Sequence, residues 1–260
     1  MSATAAAATA VSRRVPVRGA ERLSYAVGAV LVGSGLFHLA VFAVDGGPWD
    51  GPVSWRKPFT FGVSFGLTLI ALAWVTSYLT VGERTRTVLL ALFTADCVLE
   101  VTGITVQAWR HVPSHFDMET PVNTAVAMSL AVGGGLLVVV LTVFAAAAFR
   151  EPPAGPAGMA LALRAGFALL MVGLLSGAAM IARGVVDTRT GHQQEAYHST
   201  GDLKPLHGVS LHAVLVLPAL AWLLSRTSWS PAVRQRIVLA AALAYVAAAV
   251  GALCWGLATT

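Results

Sequence analysis

Residues 121–148 read PVNTAVAMSLAVGGGLLVVVLTVFAAAA, a run without one Asp, Glu, Lys or Arg. Roughly 20 apolar residues wound as a helix cross the hydrocarbon core of a bilayer, and this run is longer. A helix on a water-soluble domain would carry a polar face, and none is present here. Pro121 suits a first helical turn, where its missing N–H removes no hydrogen bond.

Working outward from this run, comparable stretches occupy about 23–44, 58–80, 87–108, 160–183, 206–225 and 237–257. Pro58 suits another first turn, whereas Gly46, Gly47 and Pro48, and later Pro152, Pro153 and Pro156, mark loops. The composition agrees: 57% of the 260 residues are hydrophobic and 11% charged, with a mean hydropathy of +0.74. That is too little charge to cover a soluble surface. The expected architecture is an all-α polytopic bundle of seven transmembrane helices in one domain, residues 23–260, behind a disordered tail, residues 1–22. No cleavable signal peptide is expected, because Arg13, Arg14, Arg18 and Arg22 follow the Ala-rich start instead of preceding it.

A net charge of +5 does not point to nucleic acid here, since the basic residues lie in short loops where membrane orientation explains them. With the N-terminus cytoplasmic, 11 Lys and Arg residues fall inside and 6 outside, which puts the C-terminus outside. The expected location is a bacterial plasma membrane. All seven histidines, His38, His111, His115, His192, His198, His207 and His212, then sit in the outer half of the protein. Cys97 and Cys254 both fall within apolar helices, without metal-binding spacing or an expected disulfide.

The stretch 87–108 carries the chemistry. Asp96, Glu100, Gly103 and Gln107 recur at four, three and four residues, one face of a helix. Ionisable groups inside a membrane are costly and usually face the bundle interior. Two carboxyls one turn apart in low dielectric do not both ionise, so one is expected to keep its proton. A retained proton is what a general acid needs; the alternative is a hydrogen-bonded pair that locks helix packing.

Around this stripe stand further candidates. His38 is either a site residue or a packing histidine bonded to a nearby carbonyl. The loop Trp109-Arg110-His111-Val112-Pro113-Ser114-His115-Phe116-Asp117 is polar and aromatic beyond what a turn requires, and His115 and Asp117 are its candidate site residues. Trp109 also suits an interfacial anchor. The segment 184–205 reads as a long outer loop, the length class of lids and binding loops. After Asp202, His207 and His212 stand five residues apart, about 140° around a helix, unlike the i, i+4 pair of zinc helices. Trp55, Arg56 and Lys57 stand before the second span, where the two cations either bind an anionic group or snorkel at the interface.

Three segments together resemble a family of uncharacterised bacterial seven-helix membrane proteins: Trp55-Arg56-Lys57-Pro58-x-x-Phe61-x-x-Ser64, Arg110-x-x-x-Ser114-His115-Phe116, and Gly201-Asp202-Leu203-x-x-x-His207-x-x-x-Leu211-His212-Ala213. The resemblance implies the seven-helix fold and brings no activity. Members usually carry Asn after Ser-His-Phe; here it is Asp117, with Asn123 nearby where an acidic residue is usual. Ser34-x-x-x-His38, Asp96 and the sixth-span histidines are similar in part to zinc-dependent seven-helix ceramidases and adiponectin-receptor hydrolases, but the His-x-x-x-His of their last helix is missing. Size, span count and intramembrane carboxyls resemble integral membrane terpene cyclases by architecture alone.

The leading expectation is therefore an intramembrane enzyme working on a lipid-soluble substrate by general acid chemistry, most concretely proton-initiated isoprenoid cyclisation. Asp96 or Glu100 would be the acid, with His115, Asp117 and His212 in the catalytic set. His38, Trp55, Arg56, Lys57, Gln107, Trp109, Arg110, Phe116, Asp202 and His207 would line the substrate site, and Trp109, Phe116, Phe37 or Phe61 could stabilise a carbocation. No cofactor is needed for this. The alternative is a redox protein or hydrolase in which His38, His115, His207 and His212 hold haem b, copper or zinc. A transporter or receptor is third; a rhodopsin is excluded, because no lysine stands in the last span.

Overall fold

The computed structural model describes residues 19–198 and 201–259. The described residues are all-α: α1 Gly19–Asp45, α2 Arg56–Val75 continued by a 3-10 turn Thr76–Tyr78, α3 Glu83–Trp109, α4 Pro121–Arg150, α5 Met159–Arg189, α6 Gln193–His198, α7 Lys204–Leu211, α8 Ala213–Leu224 and α9 Pro231–Thr259. Seven candidate spans result, with α7 and α8 together forming the sixth. The chain is thus a multi-pass membrane protein. The expected tail 1–22 lies outside the described residues up to 18, and α1 begins at Gly19, before the expected 23.

Local chemistry explains several boundaries. Thr120 caps α4 by accepting the Asn123 N–H (3.2 Å), and Pro121 follows as the first helical residue. The expected outer loop 184–205 is much shorter, because α5 runs on to Arg189 and α6 occupies most of the remainder.

The sixth span is broken at His212. Its ring Nδ1 lies 3.0 Å from the Gly208 carbonyl, the acceptor that its own backbone N–H would use in a regular helix. That N–H turns to Ser210 O instead. A side chain taking the i−4 carbonyl bends helices in this way.

Packing is densest where α1 meets α2. A Cβ on Gly66 would lie 2.5 Å from the Gly28 carbonyl oxygen, and one on Gly62 would lie 2.8 Å from Gly35 Cα. These glycines let two backbones approach as small-residue seams do in membranes. Gly133 faces α3 and Gly177 meets the His207 ring, while Gly134 and Gly135 meet nothing within 4 Å. Phe93, Phe144 and Phe167 anchor the apolar core with leucines of α2, α3, α5 and α8. At the end opposite the histidines, a buried Arg86–Glu21 ion pair ties α3 to α1. The same guanidinium donates to the Ala73 carbonyl (3.0 Å) and Thr76 Oγ1 (3.2 Å).

Candidate functional site

The face expected on α3 forms. Asp96, Glu100 and Gln107 are buried, at 3%, 4% and 0% exposure. The two carboxyls converge on the notch left by Gly133 of α4: a Cβ there would lie 2.6 Å from Asp96 Oδ1 and 2.8 Å from Glu100 Oε1. Both Asp96 oxygens are buried and have no hydrogen-bond partner among the described residues. A fully unsatisfied carboxyl inside a bundle is costly.

Farther along the same face, Gln107 joins a closed network. Arg110 Nη1 donates to Gln107 Oε1 (2.5 Å) and Asn123 Oδ1 (2.8 Å). Asn123 Nδ2 donates to Asp117 Oδ2 (2.8 Å), and Asp117 Oδ1 accepts the Glu119 N–H (3.0 Å). Gln107, Arg110, Asn123 and Asp117 therefore form one hydrogen-bonded chain that ties the 110–120 loop to α3 and α4. Asn123 is the hub that joins Arg110 to Asp117, a role hidden in sequence because it depends on side chains from three segments.

The loop folds inward over the bundle end. His111 (φ 54°) and Phe116 (φ 65°) take left-handed backbone, a strained choice for residues other than glycine. The Phe116 ring presses on Gly184 of α5, where any side chain would collide. His115 is inserted beside Phe61 of α2, ring centroids 6.2 Å apart, with Nδ1 2.9 Å from Ser114 Oγ. Burial, then the neighbouring Lys57 cation, lowers its pKa from the ordinary 6.5 to about 4, so the ring is neutral at physiological pH.

His38, His207 and His212 are engaged by their own surroundings. His38 Nδ1 is 2.7 Å from the Ser34 carbonyl and must donate to it, which leaves Nε2 to accept the Trp109 indole N–H (3.1 Å). Both ring nitrogens of His38 are thus engaged. Trp109 meets Trp55 at 4.9 Å, edge to face, and Trp55 donates to Asp45 Oδ2 (2.6 Å). His207 Nδ1 donates to the Gly173 carbonyl of α5 (2.8 Å). His212 donates Nδ1–H to Gly208 O and accepts from Ser64 of α2 (3.4 Å). Asp202 pairs with Arg183 (2.6 Å) and so ties the segment before α7 to α5.

These positions divide the expected site. His38, His115, His207 and His212 form no metal-ligand set: among the described residues no group of three or more His, Cys, Asp and Glu side chains could hold an ion. The carboxyl pair stands at the α3–α4 seam, apart from the histidines. A groove of about 430 Å³ does adjoin α3, but it is lined from α1 by residues such as Val27, Val30 and Ser34 and from α3 by Val98, Thr102 and Thr105. Thr105 is nine residues beyond Asp96, about 180° around the helix. Groove and carboxyls occupy opposite faces.

The resemblance of the three motif segments extends, in what the structure bears on, to the seven membrane-capable helices. No protein-family model, curated protein or solved structure matches the chain.

Proposed function

We propose that the chain is an intramembrane enzyme that uses the α3 carboxyl pair as a general acid on a lipid-soluble substrate, with proton-initiated cyclisation of an isoprenoid as its most concrete form. One observation carries the reading: Asp96 keeps two buried oxygens without a partner among the described residues, beside Glu100 and against the side-chain-free notch of Gly133. Two such carboxyls in low dielectric favour sharing a proton over holding two charges. A proton held away from water is available to an alkene or epoxide. The reading keeps the N-terminus cytoplasmic and the histidine-bearing end outward in a bacterial plasma membrane, on the 11 to 6 distribution of Lys and Arg. The histidine-ligated alternative finds less support, because His38 has no nitrogen left to offer.

The test is turnover by the purified chain in lipid nanodiscs supplied with a polyprenyl alcohol, a prenyl quinone or a polyene epoxide, read by mass spectrometry of the extracted lipids. Asp96→Asn or Glu100→Gln is expected to abolish turnover while helicity and unfolding midpoint survive. Full turnover in both variants removes the acid assignment.

A further inference from the structure

The groove between α1 and α3 has a shape and a polarity of its own. The two helices run parallel and are pinned together at two levels. Near their starts Ser24 Oγ lies 3.0 Å from Thr94 Oγ1, and near their ends the Trp109 indole donates to His38 (3.1 Å). Ser24 and His38 are 14 residues apart, about 21 Å along a helix. Between the pins lies the groove of about 430 Å³, a volume within the roughly 300–1,000 Å³ of ligand sites. No lining residue is charged and none is larger than leucine, so short side chains leave the space between two pinned helices unfilled. Val30, Val98 and Val106 of its walls are exposed on the surface that the bilayer covers, and the groove opens sideways to lipid.

Its hydroxyls are gathered toward one end. Ser34 and Thr105 each stand one turn before a member of the His38–Trp109 bridge, and Thr102 is three residues earlier on α3. The opposite end, around Ala26, Val27 and Val98, is hydrocarbon alone. None of the three hydroxyls makes a hydrogen bond among the described residues. Thr94, Ser129 and Thr142, by contrast, each donate to the carbonyl four residues back, at 2.7, 2.7 and 2.6 Å, the common refuge of a hydroxyl in a membrane helix. Thr105 Oγ1 is buried behind the lining, whereas Ser34 is half-buried and Thr102 exposed, so these two are the ones open to the groove.

In lipid an unpaired hydroxyl is costly. A charged headgroup would find no counter-ion among the lining residues. A pure hydrocarbon leaves the hydroxyls unpaired and a carbonyl can only accept from them, whereas an alcohol can both donate and accept. We infer that the α1–α3 groove binds one molecule of an uncharged long-chain lipid alcohol, with its hydroxyl at the Ser34–Thr102 end and its chain along Val27, Val30 and Val98. The site lies on the face of α3 turned away from Asp96 and Glu100, so it stands independently of the acid, and its test reads binding instead of turnover.

The probe is hexadecanol carrying a diazirine in its chain, added to the full chain in phosphatidylcholine nanodiscs, with the labelled peptides identified by mass spectrometry after illumination. Labelling is expected to concentrate on residues 26–34 and 98–106. Unlabelled hexadecanol should displace it, with hexadecane a roughly fivefold weaker competitor for want of one hydrogen bond. Ser34→Ala/Thr102→Val keeps the shape of the wall and removes its open hydroxyls, and is expected to abolish the preference for the alcohol over the hydrocarbon. Val30→Trp fills the groove and should abolish labelling there, while Val250→Trp at an exposed position of α9 leaves it unchanged. Should Val30→Trp fail to fold, the conservative double variant carries the test. Labelling spread evenly over the lipid-facing spans means ordinary boundary lipid and overturns the site. Equal competition by alcohol and hydrocarbon overturns it as well, as does a preference undiminished in the double variant.

Discussion

His115 offers the sharpest check on the loop geometry. Its pKa falls from 6.5 to about 4 because the ring is buried and Lys57 stands near it. Protonation is therefore easier once the loop has left its seat. Between these two values the displaced state binds a proton that the seated state refuses, so stability rises with pH across the window and is lost as pH falls through it. At about 1.4 kcal/mol for each pH unit, the full effect is about 3 kcal/mol. The measurement is the unfolding midpoint in nanodiscs from pH 8 to pH 4.5, for the native chain and for His115→Gln, which keeps a polar partner for Ser114 without titrating. The native midpoint is expected to drop below pH 6.5, and the variant is expected to lose that part of the drop. Histidine side-chain NMR on the folded protein reads the same quantity directly. A His115 that titrates near 6.5 would falsify the buried, cation-flanked placement of the loop.

Other substitutions probe the remaining contacts. Gly133→Ala places a methyl against both α3 carboxyls, and the overpacking is expected to cost about 1–3 kcal/mol in unfolding measurements; an unchanged midpoint would mean the seam is looser than described. Trp109→Phe removes the hydrogen bond to His38 and should cost about 1 kcal/mol, while a loss no larger in His38→Leu/Trp109→Phe than in either single variant would show that the two act as a unit. Arg86→Met strands the Glu21 carboxylate in a buried position, a loss of about 3–5 kcal/mol that Glu21→Leu on the same chain should largely recover. If the double variant is as unstable as the single one, the two residues are not a pair.

The spans were legible because each is an apolar run of membrane length with few or no charges, and the α3 face was legible because 96, 100, 103 and 107 follow a helical period. What stayed hidden depends on distant partners. His38 reads as a candidate ligand until Trp109, 71 residues away, takes its second nitrogen. Arg86 reads as an orientation charge until Glu21 is found against it. The break at His212 arises from one ring capturing one carbonyl, and no periodicity records that. The α1–α2 glycine seam had a signal in the four-residue spacing of Gly62 and Gly66, but the partner glycines lie on another helix.

The two faces of α3 constrain how any acid chemistry could work. The 430 Å³ groove meets Val98, Thr102 and Thr105, whereas Asp96 and Glu100 turn toward Gly133. A chain lying in the groove would be separated from the carboxyls by the helix itself. On the proposed reading, a lipid-soluble substrate would have to reach Asp96 along the α3–α4 seam, which opens only if α4 moves away from α3. Gly133 then has two consequences. Its missing side chain lets the carboxyls stay buried while the seam is closed, and it leaves no side chain between them and whatever enters when the seam parts. On the proposed reading, the closed seam that buries the Asp96 oxygens would also limit exchange of the proton with solvent. On that same reading, the α3–α4 contact, more than the groove, is where access to the acid would be controlled.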